Sequence, residues 1–178
     1  MSFTLRLATA NDVAVLERLI AESGRGLSRG DYSDAQIEAA LGGAWGVDSE
    51  LIRDGTYFVA EAAGEVVACG GWSRRATLFG GDAQPGRRSA LLDPATDSAR
   101  IRAFFVRPDW ARRGLGRTLL ERCEAEARAH GFRSTELVAT LPGERFYRTL
   151  GYVGDERREY PLPHGLSITF VPMRKEPL

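Results

Sequence analysis

At the N-terminus, the apolar residues first follow the two-residue period of a strand and then the spacing of a helix. Apolar and polar side chains alternate over residues 2–7, which is typical of a β-strand. Thr9 and Asp12 resemble a capping arrangement, and apolar residues at helical spacing after them predict a first helix that ends at about Glu22. The Gly- and Ser-bearing residues 23–32 are expected to end this helix.

The next segment predicts short helices followed by a hairpin. Ser33 is placed to cap a helix that reaches Leu41, and residues 49–53 fit one further helical turn. Residues 56–61 and 66–72 are rich in β-forming side chains, and the short Gly-bearing connector between them is typical of a hairpin. We therefore expect an antiparallel pair of strands here.

The C-terminal half predicts further strands and helices after one long connection. Residues 74–97 contain three Gly and two Pro, show no sustained period and exceed the usual length of a connection, so they predict a functional loop. The elements predicted after this loop are strands at 99–106, 135–139, 152–160 and 167–173 and helices at 114–129 and 143–150. The pattern indicates one mixed α/β domain over residues 1–178.

Composition and charge exclude several classes of protein. The 178 residues include 24 basic and 24 acidic side chains, so there is no basic surplus of the kind that binds nucleic acid. A charged fraction of 27% with a hydrophobic fraction of 43% argues against disorder. No apolar run approaches the roughly 20 residues that span a bilayer, and no secretion signal is seen. We expect a cytoplasmic protein without nucleic-acid or membrane partners.

Cysteine and histidine usage gives no sign of a metal site. The two cysteines, Cys69 and Cys123, lie in apolar-patterned segments, and the two histidines, His130 and His164, are not spaced with them as zinc ligands are. We expect free core thiols and no metal.

A glycine-punctuated segment at the start of the predicted helix 114–129 is a candidate anion site. Its amides precede the first intrahelical hydrogen bonds, and glycine lets a phosphate approach the backbone. The alternative is a tight turn before a surface helix with solvated arginines. The segment lacks the P-loop pattern, and Leu119 stands where the dinucleotide fingerprint requires Gly or Ala. The segment consists of Arg112, Arg113, Gly114, Leu115, Gly116 and Arg117.

Two linked motifs carry a family resemblance. The stretch IRAFFVRPDWARRGLGRTLLERCEAEARAHGF at 101–132 resembles the acetyl-CoA-binding core of the GCN5-related N-acetyltransferases, the GNAT family. The stretch LVATLPGERFYRTLGY at 137–152 resembles the later strand, helix and turn of the same family. The resemblance implies a splayed, mostly antiparallel sheet with helices on both faces, and acetyl-CoA as the acyl donor.

The resemblance also implies roles for individual residues. The backbone of Phe104, Phe105 and Val106 would pair with the pantetheine arm of acetyl-CoA. Ala111 departs from the Gln or Arg that the family often has three residues before the first glycine, and a neighbouring arginine is expected to compensate. The pyrophosphate would lie on the loop amides of Arg112, Arg113, Gly114, Gly116, Arg117 and Thr118, with Leu115 in the same cofactor-binding segment.

Tyr147 lies where family members commonly have a tyrosine that donates a proton to the departing CoA thiolate. A phenol with an ordinary pKa near 10 is protonated at neutral pH and suits this role. The alternative is that Tyr147, next to Phe146, only packs its helix on the sheet.

The general base is harder to assign, because the glutamate that many relatives carry on the strand 99–106 is absent. Glu61, at the end of a predicted hairpin strand, is the first candidate, and the alternative is an exposed hairpin carboxylate. Asp97 and Glu136 are weaker candidates. His164 is interpreted as a solvated turn residue.

The sequence thus predicts transfer of an acetyl group from acetyl-CoA to a primary amine by direct attack in a ternary complex. Trp72, Ser73 and the loop 74–97 are expected to line the acceptor site. The acceptor is a small-molecule or peptide amine whose identity is open: an amino acid, a polyamine, an aminoglycoside or a protein lysine. A homodimer is compatible with the sequence. The alternatives are a non-catalytic acyl-CoA-binding sensor or scaffold, and a transferase of longer acyl chains.

Overall fold

The computed structural model describes residues 2–178 and contains a seven-stranded sheet in the order β1-β2-β3-β4-β5-β7-β6. All neighbouring strands are antiparallel except β4 and β5, which are parallel. The strands are β1 (Thr4–Leu7), β2 (Tyr57–Ala62), β3 (Glu65–Ser73), β4 (Ala99–Val106), β5 (Thr135–Thr140), β6 (Arg158–Pro161) and β7 (Ser167–Lys175).

The first three helices are α1 (Val13–Leu27), α2 (Asp34–Ala40) and α3 (Ser49–Asp54). Ser33 caps α2 as expected, and its hydroxyl accepts a hydrogen bond from Gln36 N at 3.1 Å. The predicted end of α1 near Glu22 is wrong, because the helix continues through both of its glycines. These glycines serve close packing: a Cβ on Gly24 would lie 3.1 Å from the Trp45 ring, and one on Gly26 only 2.3 Å from Pro108.

The last two helices are α4 (Leu115–Ala129) and α5 (Leu141–Arg148). The α5 helix begins two residues before the predicted Gly143, because Thr140 caps it and accepts a hydrogen bond from Gly143 N at 3.1 Å. Pro142 is tolerated there, since a proline in the first helical turn removes no intrahelical hydrogen bond.

The helices cover both faces of the sheet, and each face has its own core. Leu115, Leu119 and Cys123 of α4 pack with Trp72 and Ile101 on one face. On the other face, α1, α2 and α3 pack on strand residues such as Tyr57, Cys69 and Phe170. Both thiols are fully buried, and burial raises the pKa of Cys69 to about 12.

The sheet opens between its two central strands. Parallel pairing of β4 with β5 is limited to Ala99 with Thr135 and Arg100 with Glu136, at the start of both strands. Further along β4, Ala103 has a positive φ of 59° and the register with β3 shifts, as in a β-bulge. The two strands therefore diverge and leave a gap in the middle of the sheet.

The predicted fold class is confirmed: a mixed, mostly antiparallel, splayed sheet with helices on both faces. Residues 74–97 form a long loop, as expected, with one isolated bridge between Arg75 and Leu91. The predicted strand 152–160 is corrected to Arg158–Pro161. Val153 pairs with Arg174 of β7 only as an isolated bridge, and the Arg148 guanidinium binds Gly154 O at 2.7 Å and the Asp155 carboxylate at 2.8 Å, so the chain leaves the sheet between Val153 and Arg158. None of the helices described is long and apolar enough to cross a membrane.

Candidate active site

A cleft of about 750 Å³ lies where β4 and β5 diverge. Its lining includes residues that belong to both cores, so the cleft passes through the sheet. One side, which we call the amide side, is formed by the start of α4 and by α5. The other, which we call the apolar side, is formed by Leu27, Ser28, Trp45, Leu78, Phe79 and Phe170.

The β4 edge of the cleft carries Phe104, Phe105 and Val106, all of which line it. The amide of Val106 donates to Ser23 Oγ of α1 at 3.2 Å. A side-chain hydroxyl thus takes the place that an acceptor on a neighbouring strand would have. This edge presents main-chain groups to the cleft in the way that a sheet edge presents them to an added strand.

The amide side is a concave turn of backbone at the start of α4. Arg112 and Gly114 both have positive φ, 61° and 85°, a conformation that directs successive N–H groups toward one point. The first intrahelical hydrogen bond is donated by Thr118 N to Gly114 O at 3.0 Å, so the amides of Leu115 to Arg117 precede it. Thr118 N–H already has this partner and is not a free donor.

Two side chains at the amide side fix its shape and charge. A Cβ on Gly116 would lie 3.0 Å from the Phe146 ring, so glycine allows α4 to approach α5 closely. The Arg113 guanidinium lies 4.8 Å from the centre of the Trp110 ring, a cation–π contact that holds its charge beside the turn. Arg112 and Arg117 are exposed and line the cleft. The amide side is therefore positively charged and has the form of an anion site.

Tyr147 lies in the cleft wall with 8% of its surface exposed. Its ring packs edge-on against Phe104, Phe146 and Tyr152, with centroid distances of 6.4, 5.0 and 5.6 Å. Within residues 2–178 the Tyr147 hydroxyl makes no hydrogen bond. Burial raises the pKa of this phenol above its ordinary value, so it stays protonated at neutral and mildly alkaline pH.

Tyr32 fixes the start of the helix that carries Tyr147. Its hydroxyl donates to Thr169 O at 2.7 Å and accepts from Leu141 N at 2.8 Å. This bridge ties the first residue of α5 to β7. The position of Tyr147 in the cleft is thus set by the sheet and not by a free surface helix.

The structure does not bring Glu61 to the cleft. Glu61 lies on β2 opposite Thr4 of β1 and accepts a hydrogen bond from Arg6 Nε at 2.8 Å. Arg6 also binds both oxygens of Asp12 at 2.9 Å and lowers the pKa of that carboxyl to about 2. These three side chains form an ion-pair network at the edge of the sheet.

Asp97 and Glu136, suggested for the base, and Trp72 and Ser73, suggested for the acceptor site, also lie outside the cleft lining, whereas the loop 74–97 reaches it. Asp97 accepts a hydrogen bond from Asp93 N, and Glu136 is paired with Arg100. Trp72 is fully buried against His130 and Phe132. Ser73 is buried and accepts from Arg75 N at 3.0 Å. His164 is exposed in a short turn, as expected.

The apolar side comes from residues that the sequence did not single out individually. Phe79, from the loop 74–97, packs edge-on against Tyr160 of β6 and Phe170 of β7 at 4.9 and 5.6 Å. The loop is also fixed near Trp45, where Gly81 N donates to Gly43 O at 3.0 Å. It therefore crosses the gap in the sheet. In the sequence, the unusual length of this loop was the one signal that it contributes to the cleft.

A buried group of four charged side chains holds this loop in place. Asp48 binds Arg87 at 2.9 Å and contacts Arg102 of β4 at 3.3 Å. Glu50 binds the same Arg102 at 3.1 Å. Arg102 also lines the cleft. The two acids and two arginines balance one another in charge, so removal of any one of them would leave a buried charge without its partner.

Within residues 2–178 no cluster of three or more His, Cys, Asp or Glu side chains is placed to hold a metal ion. The side chains of the cleft that carry charge are Arg102, Arg112, Arg117 and Arg145, and no Asp or Glu of the described chain lines it.

Comparison with solved structures shows the same fold in several acetyltransferases. A GCN5-related N-acetyltransferase from Rhodopseudomonas palustris is 23% identical, with a TM-score of 0.73 over 99% of this chain and 96% of that one. The PaiA N-acetyltransferase from Thermoplasma acidophilum, in complex with coenzyme A, is 15% identical, with a TM-score of 0.67 and 99% of both chains covered.

A third structure, yncA from Salmonella typhimurium with its cofactor acetyl-CoA, is 17% identical, with a TM-score of 0.62 over 99% of this chain and 94% of that one. No curated protein sequence gives a significant match. The model of the acetyltransferase (GNAT) family matches residues 23–152, which include the start of α4 and Tyr147. The chain belongs to the acetyltransferase (GNAT) family.

Proposed function

We propose that the protein transfers an acetyl group from acetyl-CoA to a primary amine by direct attack in a ternary complex. The observation that carries the proposal is the cleft through the sheet, in which a donor edge of β4, the amide turn before α4 and the Tyr147 hydroxyl converge. The CoA and acetyl-CoA held by PaiA and yncA, which share this fold, support the choice of acyl donor.

In this proposal the main chain binds the acyl donor. The pyrophosphate lies on the amides between Arg112 and Arg117, where the helix dipole and the arginines favour negative charge. The pantetheine arm adds to the edge of β4 along Phe104 to Val106 as a further strand would, and Val106 N–H exchanges its present partner, Ser23 Oγ, for an acceptor on that arm. Thr118 N–H takes no part, because it is used within α4.

The reaction forms one bond and breaks one. The amine nitrogen attacks the thioester carbonyl carbon, the tetrahedral adduct collapses with cleavage of the C–S bond, and the sulfur leaves as a thiolate. Tyr147 donates its proton to that sulfur. The nitrogen loses one proton, which passes through solvent and replaces the proton given up by Tyr147, so the products are the acetamide and CoA with a free thiol.

No carboxylate base is needed if the amine enters uncharged. An amine that loses water on entering a cleft lined by arginines and apolar groups has its pKa lowered, because burial and like charge both disfavour the ammonium form. This accounts for activity without Glu61, which is held by Arg6 at the edge of the sheet.

The test is release of CoA thiol from acetyl-CoA in the presence of a panel of primary amines, with mass spectrometry of the amine product. Sustained release above hydrolysis, with a product heavier by one acetyl group, is the expected result. Tight binding of acetyl-CoA without acetylated product would overturn the proposal in favour of a non-catalytic acyl-CoA-binding module. Competition by longer acyl-CoA thioesters measures the acyl-chain preference.

A further inference from the structure

The apolar side of the cleft differs from the amide side in exposure as well as in composition. Leu27 and Leu78 keep 38% and 40% of their surface exposed, although both are large apolar side chains at the cleft. Trp45 and Phe79 continue the same apolar surface inward. Exposed leucines next to a cleft that passes through the sheet are typical of a surface that a ligand covers.

The arginines that line the cleft nearest to the apolar side are held by acids. The Arg102 guanidinium of β4 is held by Asp48 and Glu50, and the exposed Arg145 of α5, on the amide side, is paired with Asp31 at 3.1 Å. Within residues 2–178, no acidic side chain lines the cleft. An acceptor with a second ammonium group would therefore find arginines and apolar carbon, but no carboxylate directed to it.

These observations decide between the classes of amine. Polyamines and aminoglycosides carry several positive charges, and each one buried without a partner is strongly unfavourable. An alkyl or aryl group gains from burial against Trp45, Leu78 and Phe79. We propose that the acceptor is a primary amine attached to an apolar group, with no second positive charge, and that this group occupies the apolar side. The inference rests on the proposed acetyl transfer.

The test compares two amines of equal length that differ in one end group. In n-heptylamine the far end is a methyl group, and in hexamethylenediamine it is a second ammonium. The kcat/KM ratio should favour n-heptylamine by about tenfold or more, because the far end is buried against apolar carbon. Equal or higher kcat/KM for the diamine would overturn the inference.

A variant tests whether the apolar side is responsible. Leu78→Asp places a carboxylate at the exposed rim and should lower the preference for n-heptylamine by about tenfold. The matched control is Leu91→Asp in the same loop, because Leu91 is 67% exposed and does not line the cleft. A change of the ratio in the control and not in Leu78→Asp would contradict the assignment.

Failure of the reaction and failure of the inference are distinguished by a binding measurement. Calorimetry of both amines with the CoA-loaded protein reports the same preference without turnover. If no amine is acetylated but n-heptylamine binds about tenfold more tightly than the diamine, the transferase proposal falls, and what stands of the inference is that the apolar side binds an apolar monoamine. Equal binding, tighter binding of the diamine, or no binding of either amine would overturn the inference.

Discussion

The two sides of the cleft are built from different parts of the chain. On the amide side one continuous segment supplies the turn, the helix start and the arginines, and the binding groups are main-chain amides. On the apolar side the wall is assembled from α1, the segment before α3, the loop 74–97 and β7, and the binding groups are side chains. One side is a local structure and the other depends on long-range packing. Substitutions should therefore separate them.

The largest effect is expected at Tyr147, where the two sides meet. Tyr147→Phe removes the proton donor and should lower kcat about 100-fold, because positioned acids contribute roughly 10² to 10⁴ in rate. The affinity for acetyl-CoA, measured by calorimetry, should stay the same. Tyr152→Phe is the control: its hydroxyl is bound to Thr135 and Glu124, so stability should fall and kcat should not. Unchanged kcat in Tyr147→Phe would remove the assignment.

The amide side should respond to Gly114→Ala. Gly114 has a φ of 85°, and an L-residue in this region costs about 1–2 kcal/mol, so the turn should relax and lose its convergent amides. We expect the KM for acetyl-CoA to rise about tenfold while the KM for the amine stays within twofold. Gly30→Ala is the control, because Gly30 has open space around it. A selective rise of the amine KM would contradict the division of the cleft.

A substitution on the apolar side should raise the KM for the amine and leave the KM for acetyl-CoA unchanged. Phe79→Ala removes two edge-on ring contacts, each worth about 0.5–1.5 kcal/mol, and loosens the loop from β6 and β7. The KM for the amine should rise about tenfold and the KM for acetyl-CoA should not change. Leu91→Ala in the same loop serves as the control. If both KM values rise together in Phe79→Ala, the two sides are not independent.

The pH dependence of kcat tests the environment of Tyr147. Burial raises the pKa of this phenol, and a proton donor is active only below its pKa, so activity is lost at a higher pH than for an ordinary tyrosine. With saturating substrates, kcat should stay flat up to about pH 10, where a donor of ordinary pKa would have lost half its activity. A decline centred near that pH would show that Tyr147 is solvated.

The smallest effect is expected at Glu61. Glu61→Gln removes one ion pair with Arg6 at the sheet edge, a change of about 0.2–1 kcal/mol in stability at most. Neither kcat nor either KM should change by more than about twofold, since the residue is outside both sides of the cleft. A loss of 100-fold in kcat would restore it as the base.

The amide side and most of the sheet were predictable because their signals are local. The apolar end of β4, the glycines before α4 and the helical spacing after Leu115 lie close to one another in the sequence. The strand β6 was predicted too long, because Arg148 binds Gly154 O and the Asp155 carboxylate and pairing with the sheet is interrupted between Val153 and Arg158. The end of α1 was misplaced because glycines usually indicate the end of a helix. Here Gly24 and Gly26 lie inside it, where a Cβ would crowd Trp45 and Pro108, residues that are distant in the sequence.

The apolar side could not be predicted from the sequence for the same reason. Phe79 has no local pattern that distinguishes it from any loop aromatic, and its role depends on Phe170 lying across the gap. A charged residue such as Arg102 is expected to be exposed on its strand. It is buried because it pairs with Asp48 and Glu50, which lie at the start of α3 and are distant from it in the sequence. Long-range ion pairs and ring contacts of this kind leave no periodic signal.

The buried thiols have a practical and chemical consequence. The proposed reaction would release CoA as a reactive thiol in a protein that has two cysteines of its own. Cys69 and Cys123 lie in separate cores with no exposed surface, and burial raises the pKa of both, so neither forms the thiolate that attacks a disulfide. Neither cysteine is therefore available for a mixed disulfide with oxidised CoA, and in the folded protein a thiol reagent reports the released product alone.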